Sequence, residues 1–132
     1  MLLTYRPLIA LLLFAASCST NDDTALVEPA SQVIGAWTMA YYQQGRAPFV
    51  EYDDDLYAEW DFTEDSVYVL TNAERSVDIP WGLTSGAYDY SVTDSTLAIS
   101  DDVGMAIVIR QDSILLDSGM ERDAPHGLLV RK

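Results

Sequence analysis

The sequence predicts an all-β fold, an eight-stranded antiparallel up-and-down barrel. Three observations predict it. From Val33 onward apolar residues alternate with period two, and no helical period is sustained. Eight such runs fit between Val33 and Lys132. The links between them alternate between longer and tight, as successive hairpins of a closed barrel do.

The first strand is expected over Val33–Gln44, with Gly35, Trp37, Met39 and Tyr41 on one face. The clearest run is Leu56–Thr63, where Leu56, Ala58, Trp60 and Phe62 alternate with Tyr57, Glu59 and Asp61. Ser66–Asn72 follows, then Gly86–Val92 with Tyr88, Tyr90 and Val92 together. Thr96–Ser100 carries Leu97 and Ile99, and Met105–Arg110 aligns Met105, Ile107 and Ile109. Ile114–Asp117 carries Ile114 and Leu116, and Gly127–Arg131 carries Leu128 and Val130. The links Glu64-Asp65, Asp94-Ser95 and Gln111–Ser113 are tight. Gly45–Asp55, Ala73–Ser85, Asp101–Gly104 and Ser118–His126 are longer. In an up-and-down barrel alternate links share an end, so the longer ones form a mouth and the tight ones a floor. A Greek-key sandwich does not predict that regularity. Closure also removes the exposed edges that a chain with 49% hydrophobic residues must hide.

Ahead of the barrel stands an address. Met1–Arg6 carries the amino terminus and one arginine, and Pro7–Ala16 is an apolar run of ten. A membrane span needs about 20 residues, so this run fits the apolar core of an export signal. Ala15-Ala16-Ser17 leads into Cys18, the one cysteine of the chain. This resembles the bacterial lipoprotein signal, with Ala15 where leucine is usual. The resemblance implies cleavage before Cys18 and lipidation of Cys18 with a diacylglyceryl group and palmitate-type acyl chains. Ser19 after the cysteine implies the outer membrane, with Asn21-Asp22-Asp23 similar to a surface-export tag. The expected organisation is a signal over 1–17, a lipidated cysteine and flexible tether over 18–32, and a barrel over 33–132. A helical turn around Ala30–Gln32 is compatible with the tether.

Removing the first 17 residues, Arg6 among them, takes the net charge from −14 to −15 and leaves 115 residues, enough for one domain. Such a surface does not neutralise phosphates, so nucleic-acid partners are excluded. A single cysteine excludes a disulfide framework and a cysteine-rich zinc site.

Gly35-Ala36-Trp37 on the first strand matches the Gly-x-Trp motif of lipocalins, and Arg131 on the last strand matches the arginine that packs across that tryptophan. The chain from Val33 to Lys132 thus resembles the compact lipocalin-like domain of bacterial lipoproteins. A Thr-Asp-Tyr motif usual in that family is absent. Gly35, Trp37 and Arg131 are structural by this reading: the indole N–H needs a partner, and a guanidinium over its face adds about 0.5–2 kcal/mol.

Two places offer binding. The expected interior set is Trp37, Met39, Tyr41, Trp60, Phe62, Tyr88, Tyr90 and Met105, which reads as a packed core or as an aromatic pocket. At the mouth, Arg46, Phe49, Val50 and Tyr52 stand on one long link, and Arg75, Ile79, Pro80 and Trp81 on another. Large apolar groups on loops either pack over the barrel end or meet a ligand. Phe49, Tyr52, Trp81 and Tyr88 are the candidate ligand or partner contacts. Asp53-Asp54-Asp55 and Asp101-Asp102 lack the spacing of a calcium loop and read as solvated charge. His126, the sole histidine, reads as a loop residue. No nucleophile elbow, Cys–His pair or phosphate loop is present, so no enzyme, cofactor or metal is expected. The expected function is a lipid-anchored, monomeric envelope protein that binds a small apolar or amphipathic ligand at its mouth. The alternative is an acidic module for a basic partner protein. Ser85-Gly86-Ala87-Tyr88 resembles the Ser-Gly loop of periplasmic lysozyme inhibitors, which are also acidic barrels.

Overall fold

The computed structural model describes residues 28–119 and 124–132. Cys18, the signal and the start of the tether lie outside the described residues. A short helix α1, Pro29–Val33, comes first, with proline at its start where the missing N–H costs nothing. The strands are β1 Gly35–Gln43, β2 Val50–Glu51, β3 Ala58–Phe62, β4 Ser66–Thr71, β5 Gly86–Val92, β6 Thr96–Ile99, β7 Val103–Ile109, β8 Ser113–Asp117 and β9 His126–Arg131. Every pairing is antiparallel, and β1 pairs with β9 to close the barrel. Eight strands therefore make the barrel. The ninth, β2, is an addition: it pairs with the upper half of β1, beyond the stretch that β3 uses.

The three tight links share one end and close alike. The N–H groups of Thr63, Thr93 and Arg110 donate to the carbonyls of Ser66, Thr96 and Ser113 at 2.8–2.9 Å. That end is the floor, and α1 lies there against β5 and β7. Val33 is wholly buried and α1 packs on β5 and β7, so Pro29–Val33 lies against the barrel.

Arg131 clasps the floor. Its guanidinium carbon sits 4.1 Å from the centre of the Trp37 ring. Its Nε donates to the Gln111 carbonyl at 3.2 Å, Nη1 to Ile34 at 3.2 Å and Nη2 to Gln32 at 3.0 Å. The Trp37 indole N–H donates to the Val33 carbonyl at 2.7 Å. One side chain thus ties β9 to α1, to the start of β1 and to the β7–β8 turn. Gly35 has φ +124, and a Cβ there would stand 2.9 Å from Arg131 Nη1, so glycine serves both the backbone and the clasp.

The core is the inward face of the barrel: Trp37, Met39, Tyr42, Trp60, Phe62, Leu97, Ile99, Ile114, Leu116 and Leu129 are each at most 1% exposed. Two expectations are corrected. Tyr41 does not follow Met39 inward. The register of β1 against β9 shifts between Met39 and Tyr41, a bulge that turns Tyr41 out and Tyr42 in. On β9 it is Leu129, not Leu128 or Val130, that is buried. Tyr88 and Tyr90 face inward as expected, opposite buried Val67 and Ile99, and pack half-buried against the core. Glu59 faces outward, as its alternation with Trp60 requires, and pairs with Lys132 at 2.7 Å.

Arg131→Lys keeps the charge but loses the planar fork and the stacking. We expect it to destabilise the barrel by about 1–3 kcal/mol, read as a lower urea midpoint with an unchanged denaturant slope.

Candidate functional site

The other end carries the longer links, and Trp81 sits at its centre. Pro80–Gly82 forms one tight turn, with Gly82 N–H on the Ile79 carbonyl at 3.0 Å and Leu83 N–H on Pro80 at 3.1 Å. Within it Trp81 has φ +52, a left-handed conformation that L residues with a bulky side chain rarely adopt. Its surroundings hold it there. Its backbone N–H donates to Tyr42 Oη at 3.1 Å, and its indole N–H donates to Ser118 Oγ at 2.5 Å. Its ring lies 5.0 Å from that of Tyr42 and meets Trp60 edge to face at 6.1 Å.

The bulge in β1 makes this possible. Tyr42 reaches the mouth interior only because the strand has slipped by one residue there. Gly127 accommodates the slip: a Cβ at this position would come 2.9 Å from the Tyr41 carbonyl oxygen and 3.5 Å from the Trp81 ring. Beside Trp81 opens a cleft of about 450 Å³, whose lining includes Tyr42, Trp81, Asp102, Val103, Gly104 and Ser118.

The candidate contact residues do not form one surface. Trp81 lines the cleft. Phe49 is half exposed and stacks on the outward Tyr41 at 4.9 Å, on the outer wall. Tyr52 is half-buried, and its hydroxyl donates to the Asp78 carbonyl at 2.5 Å, tying the first long link to the second. Tyr88 donates its hydroxyl to the Thr84 carbonyl at 2.7 Å. Tyr42, Ser118 and Gly104 were not among the sequence candidates. Two of them are small and carry no chemical signal, and Tyr42 was hidden by the bulge.

Charge at the mouth is used locally. Asp53 Oδ1 accepts the N–H groups of Asp55 and Leu56 at 2.8 and 2.9 Å, and these bonds lower its pKa. Among the described residues no three His, Cys, Asp or Glu side chains gather as a metal site would require. His126 is not in a loop. It opens β9 and lies edge-on to Tyr41 at 6.3 Å. Ser85 is also structural, since its hydroxyl accepts the Thr71 N–H and donates to the Thr71 carbonyl.

No family model matches the chain, and no curated protein matches it. A solved structure does: a lipocalin-like protein from Bacteroides uniformis, 14% identical, with a TM-score of 0.53 over 76% of this chain and 99% of that one. The chain folds as a lipocalin-like barrel. The likeness is one of fold.

Three tyrosines titrate late. Burial raises Tyr42, burial and the Asp78 carboxylate raise Tyr52, and burial with Asp65 and Glu64 raises Tyr90. Their protons stay on the folded chain after the unfolded chain has lost its own. Stability is therefore unaffected by these groups below pH about 10 and falls as pH rises above it. Tyrosinate absorbance should show a late component that shrinks in Tyr52→Phe, with alkaline loss of the fold in the same range.

Proposed function

We propose that this chain is a lipid-anchored envelope protein whose lipocalin-like barrel binds a small amphipathic ligand at its mouth, in the cleft beside Trp81. The observation that carries the binding reading is Trp81 itself. A tryptophan recruited only to fill a core ends fully buried in relaxed backbone. This one is half-buried on a rim, in a strained conformation, facing a cleft. Strain of this kind, of order 1–3 kcal/mol, persists where the surroundings enforce it and collects at ligand sites.

The anchor reading rests on Cys18 and its preceding small residues. It fits the placement of α1. The described chain begins at the floor, so a tether reaching Cys18 leaves from the end opposite Trp81 and keeps the mouth clear. Two acyl chains on one cysteine meet the requirement for stable anchoring.

Mass spectrometry of the chain purified from membranes should find acyl mass on Cys18, and Cys18→Ser should release the protein to the soluble fraction. Ligand binding is tested separately. Val103 lines the cleft, sits opposite buried Ile99 on the inward face of β7 and is half-buried. Val103→Trp should therefore fill the cleft, with an unchanged circular dichroism spectrum showing that the barrel still folds. A small molecule seen by native mass spectrometry on the parent chain should be lost, or weakened by about tenfold or more, for one to two kcal/mol of lost contact. Equal binding by both chains would refute the mouth as the site.

A further inference from the structure

The chain has three tryptophans, and two of their indole N–H groups are satisfied. Trp37 donates to the Val33 carbonyl and Trp81 to Ser118 Oγ. Trp60 is the exception. It is wholly buried, and its Nε1–H has no acceptor. Buried indole N–H groups almost always find a partner, because a donor stripped of water and left unpaired is costly. Trp60 is also the ring that Trp81 covers, edge to face at 6.1 Å. Two unfavourable features therefore meet at one place: an orphaned donor below, and a tryptophan in left-handed backbone above.

One event relieves both. If the Trp81 ring swings out, its backbone can relax and the space over Trp60 opens to the cleft. The attachments that resist the swing are the hydrogen bonds to Tyr42 and Ser118 and the ring contacts with Tyr42 and Trp60. On one side Trp81 is followed by Gly82, with φ +68 and nothing within 4 Å of its Cβ position, so the backbone has room to pivot. A molecule entering there finds a donor already stripped of water, so only the desolvation of its own acceptor offsets the hydrogen bond.

The rim adds a second condition. Asp102 lines the cleft, and Asp101 and the Asp53-Asp54-Asp55 run stand on links at the same end. Two cations, Arg46 and Arg75, also stand on mouth links; Arg75 pairs with Asp78 at 3.7 Å, and the carboxylates outnumber both. An anion approaching this rim is repelled, whereas a neutral or cationic molecule is not.

We propose that Trp81 is a displaceable stopper over the Trp60 indole, and that the molecule displacing it is uncharged or cationic, of about the bulk of an indole, and bears a hydrogen-bond acceptor. This rests on the mouth-binding reading and goes beyond it by naming the donor and the ligand class. Three naphthalenes of similar shape separate the terms: acetylnaphthalene offers a neutral acceptor, ethylnaphthalene offers none, and naphthoate offers an acceptor with a negative charge. The protein is the full chain carrying Cys18→Ser, followed by its indole N–H resonances. Acetylnaphthalene should bind about 3- to 10-fold more tightly than ethylnaphthalene, the span a single neutral hydrogen bond supplies. It should also bind more tightly than naphthoate. It should shift the Trp60 and Trp81 resonances and leave that of Trp37 in place. Trp60→Phe should bring the ratio of ketone to hydrocarbon to about one, and Trp81→Ala should tighten both neutral probes. Should Trp60→Phe fail to fold, the Trp60 resonance in the parent chain and the Trp81→Ala affinities still decide. Equal affinity for ketone and hydrocarbon, or an unmoved Trp60 resonance, overturns the stopper. If Trp81 alone responds, the mouth reading survives and the stopper does not. Preference for naphthoate overturns the charge class. No binding by the parent chain or by Trp81→Ala overturns both readings.

Discussion

Between Met39 and Tyr41 the first strand gains a residue against β9, and Gly127 leaves the space for it. Below the bulge, Trp37 and Met39 point inward as a regular strand requires. Above it the phase is reversed, so Tyr42 enters the barrel and Tyr41 leaves it. Tyr42 then supplies the hydroxyl that accepts the Trp81 N–H and the ring against which Trp81 leans. Tyr41, turned outward, becomes the platform for Phe49. Without the slip, the mouth would have neither its inner support nor its outer stack. A bulge next to a candidate site is a recurrent way of re-aiming one side chain without changing the fold.

The two ends of the barrel are closed by opposite strategies. At the floor, an exposed guanidinium covers a buried indole, and every N–H of that arrangement that the closure needs has a carbonyl to meet. At the mouth, an indole covers another indole, one donor is left over, and the covering residue is in unfavourable backbone. The first arrangement is built from relaxed parts and the second from tense ones. That asymmetry is what separates scaffold from site in a barrel whose interior aromatic residues would otherwise look alike.

Much of this was readable in the sequence, for reasons that differ by element. Gly86–Val92 was placed to the residue because its alternation is unbroken and turn-forming residues flank it. The floor was readable because Gly-x-Trp and a late arginine form a pattern with a physical purpose. The inward face of β1 was not, because Tyr41 and Tyr42 are the same residue type and the glycine that decides between them lies on a strand more than eighty positions later. The strand Val50–Glu51 is too short to produce a period. Trp81 stood out between Pro80 and Gly82 as an apolar group on a loop, but its conformation and its contact with Trp60 are properties of tertiary packing. The missing acceptor of Trp60 is the least legible of all, since alternation marks the ring as buried and says nothing of its nitrogen.

The position of α1 has a mechanical side. The chain enters the barrel through Pro29–Val33, and that helix is held to the floor by Arg131, whose bonds to the Gln32 and Ile34 carbonyls bracket its end. A pull on the chain ahead of Glu28 reaches these bonds before it reaches any strand. With buried Val33 and the Trp37 bond to its carbonyl they are local contacts at one corner, whereas the β1–β9 seam behind them is a row of bonds that would have to shear together. A pull on this end would therefore undo one helical turn first, while the barrel, and everything held at its far end, would stay shut.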